Sequence, residues 1–237
     1  MQTKQWRLLR LPLKLRTVSA NNSFVGGKML LRVLGVDPAA AGPTGYGIVE
    51  GDGRTCKMLH YGALRVAANR QKQGAGVVLQ EVHALLSRLI EEFAPDAMAV
   101  ESVFTALNMR TALRLAEVRG VVLLAAAQHG LAVYSYAPRE VKASVAGHGH
   151  ADKRQMQMMV RVLLSMQETP EPADAADALA VALCHLQAER ARVRFGLPDA
   201  RSLEKPPAAR SDGRGRVNRG ARNGATPDEL TRIVSTQ

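Results

Sequence analysis

Cysteine is nearly missing from this 237-residue chain, with Cys56 and Cys184 its only examples. Two cysteines exclude a disulfide framework and a four-cysteine zinc site, and they make a reducing cytosol the default compartment. Long apolar runs are missing as well. The longest, Val121–Ala127, falls far short of the roughly 20 residues that span a bilayer, so no membrane insertion is expected. Aromatic residues make up only 4% of the chain, which makes any aromatic beside a candidate site worth noting. What is present is enough apolar sequence, 46%, to build one core and exclude a wholly disordered chain.

The net charge of +11 is unevenly distributed. Residues 1–28 carry six Lys or Arg and no acid; residues 188–237 carry eleven against six acids; residues 29–187 hold fifteen of each sign. The basicity therefore belongs to the two ends, and an affinity for nucleic acid cannot be credited to the folded part on charge alone. Residues 1–28 read as a basic extension upstream of Met29. A mis-assigned start, a transit-like segment and a flexible basic arm all remain open. Residues 29–190 read as one domain. Residues 191–237, rich in Arg, Gly, Pro and Ala, read as a basic disordered tail.

Within the domain, Leu31–Val36 is an apolar run expected to form a buried strand. Tyr46–Val49 and Lys57–Leu64 follow across short turns, as antiparallel hairpins do. Val78, Val82, Leu85, Leu86, Leu89 and Phe93 recur at helical spacing up to Pro95. Ala97–Val100 and Val133–Tyr136 read as two further strands. Residues 109–128 read as a helix that is apolar on every side around Val121–Ala127, to be buried in the core or against another chain. Further helices are expected over Pro138–Val145, around Met156–Leu164, and from Ala173 to about Ala188. This order predicts an α/β fold: a mixed five-stranded sheet, three hairpin-linked antiparallel strands plus two more, flanked by helices.

Four carboxylates stand out. Asp37 and Glu101 each end a buried strand, where a lone charge cannot point into the core without a cost of several kcal/mol. Open sheets place their sites at such strand ends. Asp174 and Asp177, three residues apart on a helix, share a face; a first-turn cap is the simpler explanation for them, and both readings stand at this point. Gathered at one edge, four acids make an all-oxygen site suited to magnesium or manganese. Two such ions about 4 Å apart promote phosphodiester cleavage. His148 and His150 sit in a glycine-flanked loop, where assistance in proton transfer and plain solvation are equally open.

The segments Leu34–Pro38, Thr44–Gly47, Ala99–Phe104, Arg139–Lys142, Gly147–Lys153 and Ala173–Ala180 resemble the RuvC family of bacterial Holliday-junction resolvases, which have the ribonuclease H-like fold. The resemblance runs from Met29 to about Gln187. It implies that Asp37, Glu101, Asp174 and Asp177 are the metal-binding catalytic acids. Phe104 would be an aromatic wedge at the junction, and Lys142 and Lys153 would contact DNA. It further implies two Mg²⁺ ions per site, with Mn²⁺ able to substitute. The expected function is that of a cytoplasmic homodimer that nicks two opposing strands of a four-way DNA junction in homologous recombination and repair. Its expected partners are the branch-migration proteins RuvA and RuvB.

The loop Pro38–Gly45 departs from the family pattern. It is about one residue longer and lacks the early glycine and arginine, which bears on backbone contacts to DNA and not on the acids. Alternative functions are a nuclease of structured RNA, an actin-like phosphotransferase, for which 29–187 is too short, and a non-catalytic junction-binding module.

Overall fold

The computed structural model describes residues 23–25, 28–39, 42–72, 74–102, 108–197 and 202–204. Phe104, Ala40 and Ala41, and the greater part of both basic ends lie outside the described residues. In chain order the elements are β1 (Ser23–Val25), β2 (Lys28–Asp37), β3 (Thr44–Gly51), β4 (Cys56–Leu64), α1 (Ala68–Gln71), α2 (Ala75–Phe93), β5 (Ala97–Glu101), α3 (Met109–Gln128), β6 (Ala132–Tyr136), α4 (Pro138–Ala146), α5 (Lys153–Leu163), α6 (Ala173–Phe195) and β7 (Ser202–Glu204).

The expected five strands form one sheet in the order β4-β3-β2-β5-β6, with short β7 beside β6 and short β1 on β2. β2, β3 and β4 pair antiparallel. β5 joins β2 and β6 joins β5 in parallel, which requires the crossovers that α2 and α3 supply. Alternation along each strand sends side chains to two separate cores. On one face Leu34, Val36, Met98, Val100 and Val133 pack against α2 and α3. On the other, Val33, Ala99 and Tyr136 pack against α4, α5 and α6. Helices thus cover both sides of the sheet.

Helix α6 lies unusually close to the sheet. A Cβ on Gly35 would stand 2.1 Å from the Ala178 carbonyl oxygen, and one on Gly45 would stand 1.9 Å from that of Asp174. Only glycine permits that approach. Small residues on the helix, Ala175, Ala178 and Ala182, are fully buried and complete the seat.

Two expectations need correction. Helix α6 does not stop near Ala188 but runs to Phe195, held by an Arg192–Glu189 pair at 2.7 Å and closed by left-handed Gly196. Residues 191–195 and 202–204, expected in the tail, therefore lie in a helix and a strand, and Ser23–Val25 of the expected extension pairs with β2. Beyond the half-buried Asp174 and Asp177, Ala178–Leu186 is buried on all sides between the sheet, α4 and α5. Of the two places expected for the apolar faces of α3, the core takes one side only. Val118, Val122, Ala125 and Ala126 are buried, whereas Met109, Leu113 and Leu124 are 75%, 59% and 50% exposed.

Candidate active site

The parallel register of β2 and β5 sets Val36 beside Val100, so Asp37 and Glu101 leave adjacent strands at the same level. Both follow a residue that faces α2 and α3, so both turn to the α6 face. There α6 begins. Its N-cap is Pro172, with Asp174 in the first turn and Asp177 beyond it, and no side chain caps the helix. The capping explanation thus fails for Asp177. The contact of Gly45 with the Asp174 backbone brings the start of α6 against the strand that pairs with β2 at Asp37.

The electrostatics record this convergence. Burial, then the charges of Glu101 and Asp177, push Asp37 up to about 8; its carboxyl donates a hydrogen bond to Glu101, and Asp174 adds a smaller repulsion. Glu101 is raised by burial and by Asp177, and partly relieved by the hydrogen bond from Asp37 and by Lys142 and Lys153. Asp177 is raised by burial too, while Lys153 pulls it down. Asp37 thus feels each of the other three acids, Glu101 feels Asp177, and Asp177 feels Asp174. Among the described residues no three acids or histidines already stand as a ready ion cage. The donor chemistry nevertheless fits a hard cation. It is all carboxylate oxygen, with two acids sharing a proton where a divalent charge would let both ionise.

Lys153 is the first residue of α5, with its Nζ 3.7 Å from Asp177 Oδ2; its side chain is 74% exposed, so the pair adds little stability. Lys142 lies half-buried on α4 and acts on Glu101 and Asp177 through its charge. The structure therefore brings both lysines to the acids. His148 and His150 lie exposed in the loop between α4 and α5. The glycine-alanine seat that positions α6 was not singled out from the sequence. Its trace there is the alternating Gly45-Tyr-Gly47 facing an alanine-rich helix.

A mixed sheet of this order, with helices on both faces and acids gathered at the ends of two parallel strands and the start of the last long helix, defines a ribonuclease H-like protein. The family described as crossover junction endodeoxyribonuclease RuvC matches residues 33–185. A RuvC from Chloroflexus aggregans is 45% identical over 70% of this chain and 99% of its own length. One from Natranaerobius thermophilus is 43% identical over 69% and 99%. Among solved structures, Thermus thermophilus RuvC in complex with a Holliday junction substrate matches with a TM-score of 0.65 and 34% identity, covering 73% of this chain and 99% of that one. The chain belongs to the RuvC family of crossover junction endodeoxyribonucleases.

Proposed function

We propose that this chain resolves four-way DNA junctions by nicking two opposing strands, with Asp37, Glu101, Asp174 and Asp177 as its catalytic acids. The observation that carries this reading is the convergence of four carboxylates at one sheet edge, two from adjacent parallel strands and two from the start of α6, where burial, then the charges of Glu101 and Asp177, push Asp37 up to about 8. Two divalent cations bound there, Mg²⁺ or in its place Mn²⁺, supply activation of water and neutralisation of the leaving oxygen. Asp37 and Glu101 would hold these ions from the sheet, and Asp174 and Asp177 would hold them from α6. Lys142 and Lys153 sit where a phosphate backbone approaches the acids, and Lys153 exchanges its ion pair with Asp177 for one with phosphate. Phe104, three residues past Glu101, acts as the wedge that stacks in the opened crossover.

A four-way junction has near two-fold symmetry, and a two-fold pair of subunits matches it. The uncovered side of α3 supports a homodimer: Met109, Leu113, Ala116, Gly120, Leu124 and Ala127 form an outward stripe, with small residues at its middle to allow close approach. The protein then works in the bacterial cytosol beside the RuvA and RuvB motor. No helix among the described residues is long and apolar enough to cross a membrane.

A cleavage assay with Mg²⁺ on junction and on plain duplex tests the reading. Paired nicks confined to the junction are expected. Equal cutting of duplex, or binding without cutting, would sink it. With Phe104→Ala, intact junctions should be cut roughly ten- to a hundredfold more slowly, because the lost stacking is worth about 1–3 kcal/mol. A pre-nicked junction should recover much of that rate.

A further inference from the structure

Behind Glu101, on the sheet face away from the acids, α3 sends a half-buried arginine to the end of the sheet. Arg119 Nη2 donates to Ser135 Oγ on β6 at 2.6 Å, and Nη1 approaches the main-chain oxygen of Glu101 at 3.5 Å. The β5–β6 register sets Val100 beside Ser135 and Glu101 beside Tyr136. One residue further, the Ser102 N–H donates to the Tyr136 carbonyl at 2.8 Å, and the described part of this strand end stops there. The guanidinium therefore bridges two neighbouring strands at the point where the ladder runs out.

That position meets a mechanical need. Glu101 is buried beside the like charge of Asp177, and a strand end free to retreat would relieve that burial and repulsion by moving its carboxylate away. A rigid fork reaching both β6 and the Glu101 carbonyl opposes that retreat from behind, which a lysine with a single ammonium cannot do in the same way. Burial lowers the pKa of Arg119, so keeping a cation here has a cost that surface packing alone would not repay. We infer that Arg119 is a positioning residue of the cleavage site, which locks the end of β5 so that the Glu101 carboxylate stays at the metal-holding edge. The inference rests on the reading of Glu101 as a metal-holding acid.

Full-length Arg119→Met, Arg119→Lys and Ser135→Ala test it. Val122→Ala serves as the stability control, since Val122 is fully buried on the same helix and carries no group that could bond to the Glu101 carbonyl or to Ser135. Two readouts are needed: the Mn²⁺ concentration giving half of the metal-induced rise in Tm, and the single-turnover rate at saturating junction. Arg119→Met should raise the Mn²⁺ midpoint at least threefold and slow cutting about tenfold, with junction affinity within twofold of wild type. Arg119→Lys should recover part of both losses, and Ser135→Ala should lie between Arg119→Lys and wild type. Val122→Ala should lower Tm without moving the Mn²⁺ midpoint.

An unmoved midpoint and rate in Arg119→Met, or changes no larger than those of Val122→Ala, would overturn the inference. If Arg119→Met does not fold, an Arg119→Lys and Ser135→Ala pair both indistinguishable from wild type would overturn it equally. Glu101→Gln separates the two readings. If it abolishes metal response and cutting while Arg119→Met spares both, only the positioning role falls. If Glu101→Gln itself behaves as wild type, the role of Glu101 falls and takes this one with it.

Discussion

The strand pair β2 and β5 carries acids at both of its ends, and the two ends treat them in opposite ways. At one end Arg32 answers them. Its main-chain N–H donates to Asp96 Oδ2 at 2.8 Å, its guanidinium meets Glu50 Oε2 at 2.6 Å, and it also donates to the Phe93 carbonyl. Burial still raises Asp96, but the hydrogen bond and charge of Arg32 offset part of the effect. At the other end burial and the charges of the other three acids raise Asp37, and among the described residues the cations acting on this group are Lys142 and the largely exposed Lys153. The fold supplies its own counter-charge where acids serve structure. Where it supplies only part of one, the acids are left to be completed by something that arrives from solution.

The sharpest way to break this contrast is to remove a charge from each end. Asp177→Asn or Asp174→Asn should slow junction cutting by on the order of 10³-fold or more, about 4 kcal/mol of barrier, with junction binding largely kept. Glu50→Gln at the answered end should leave the rate unchanged. Near wild-type cutting by both aspartate variants would return them to the status of helix-start acids.

Next in size is the seat of α6. Gly35→Ala drives a Cβ into the Ala178 carbonyl, so melting should show a loss of roughly 1–3 kcal/mol. A glycine that could be filled without cost would mean that α6 does not need its close approach.

The pH dependence gives a third, smaller effect. An acid whose folded pKa is raised keeps its proton in the fold, so stability falls as pH rises from the ordinary value of 3.8 through about 8. Metal-free protein should therefore melt lower at pH 8.5 than at pH 5. Asp37→Asn should flatten that slope and stabilise the pH 8.5 protein by about 1–2 kcal/mol, and a saturating divalent cation should do the same for wild type. An unaltered slope in Asp37→Asn would show that the site is less crowded than described.

The smallest effect belongs to the answered end. Arg32→Met should cost about 1 kcal/mol, since Arg32 and Glu50 are a third exposed, and it should leave cutting intact.

Much of this was legible beforehand because it follows from periodicity. Leu31–Val36 and Ala97–Val100 are uninterrupted apolar runs ending in an acid, and a strand buried on both faces requires that pattern. The same logic missed β1 and β7, three residues each, whose ladders owe nothing to an apolar run. It also ended α6 where the apolar residues end, although Gly196 marked the true stop. The uncovered side of α3 was beyond reach for another reason: composition shows that a helix is apolar all round, but not which side finds a partner. The α6 seat was illegible because contact between glycines and a helix backbone is a property of the pairing, visible only once β2, β3 and α6 are superimposed.

The alternation along β2 makes the strand a counting device. Val33 faces α6, Leu34 the other layer, and so on until Asp37 emerges on the side of Asp174 and Asp177. One residue inserted between Val33 and Asp37 would deliver the carboxylate to the wrong side of the sheet, among valines and leucines. Two would restore the side but overshoot the edge by about 6.6 Å, at roughly 3.3 Å per residue. The ruler thus reads in steps of one strand residue and has a single correct mark, so single-residue insertions in β2 should silence cutting even in chains that still fold.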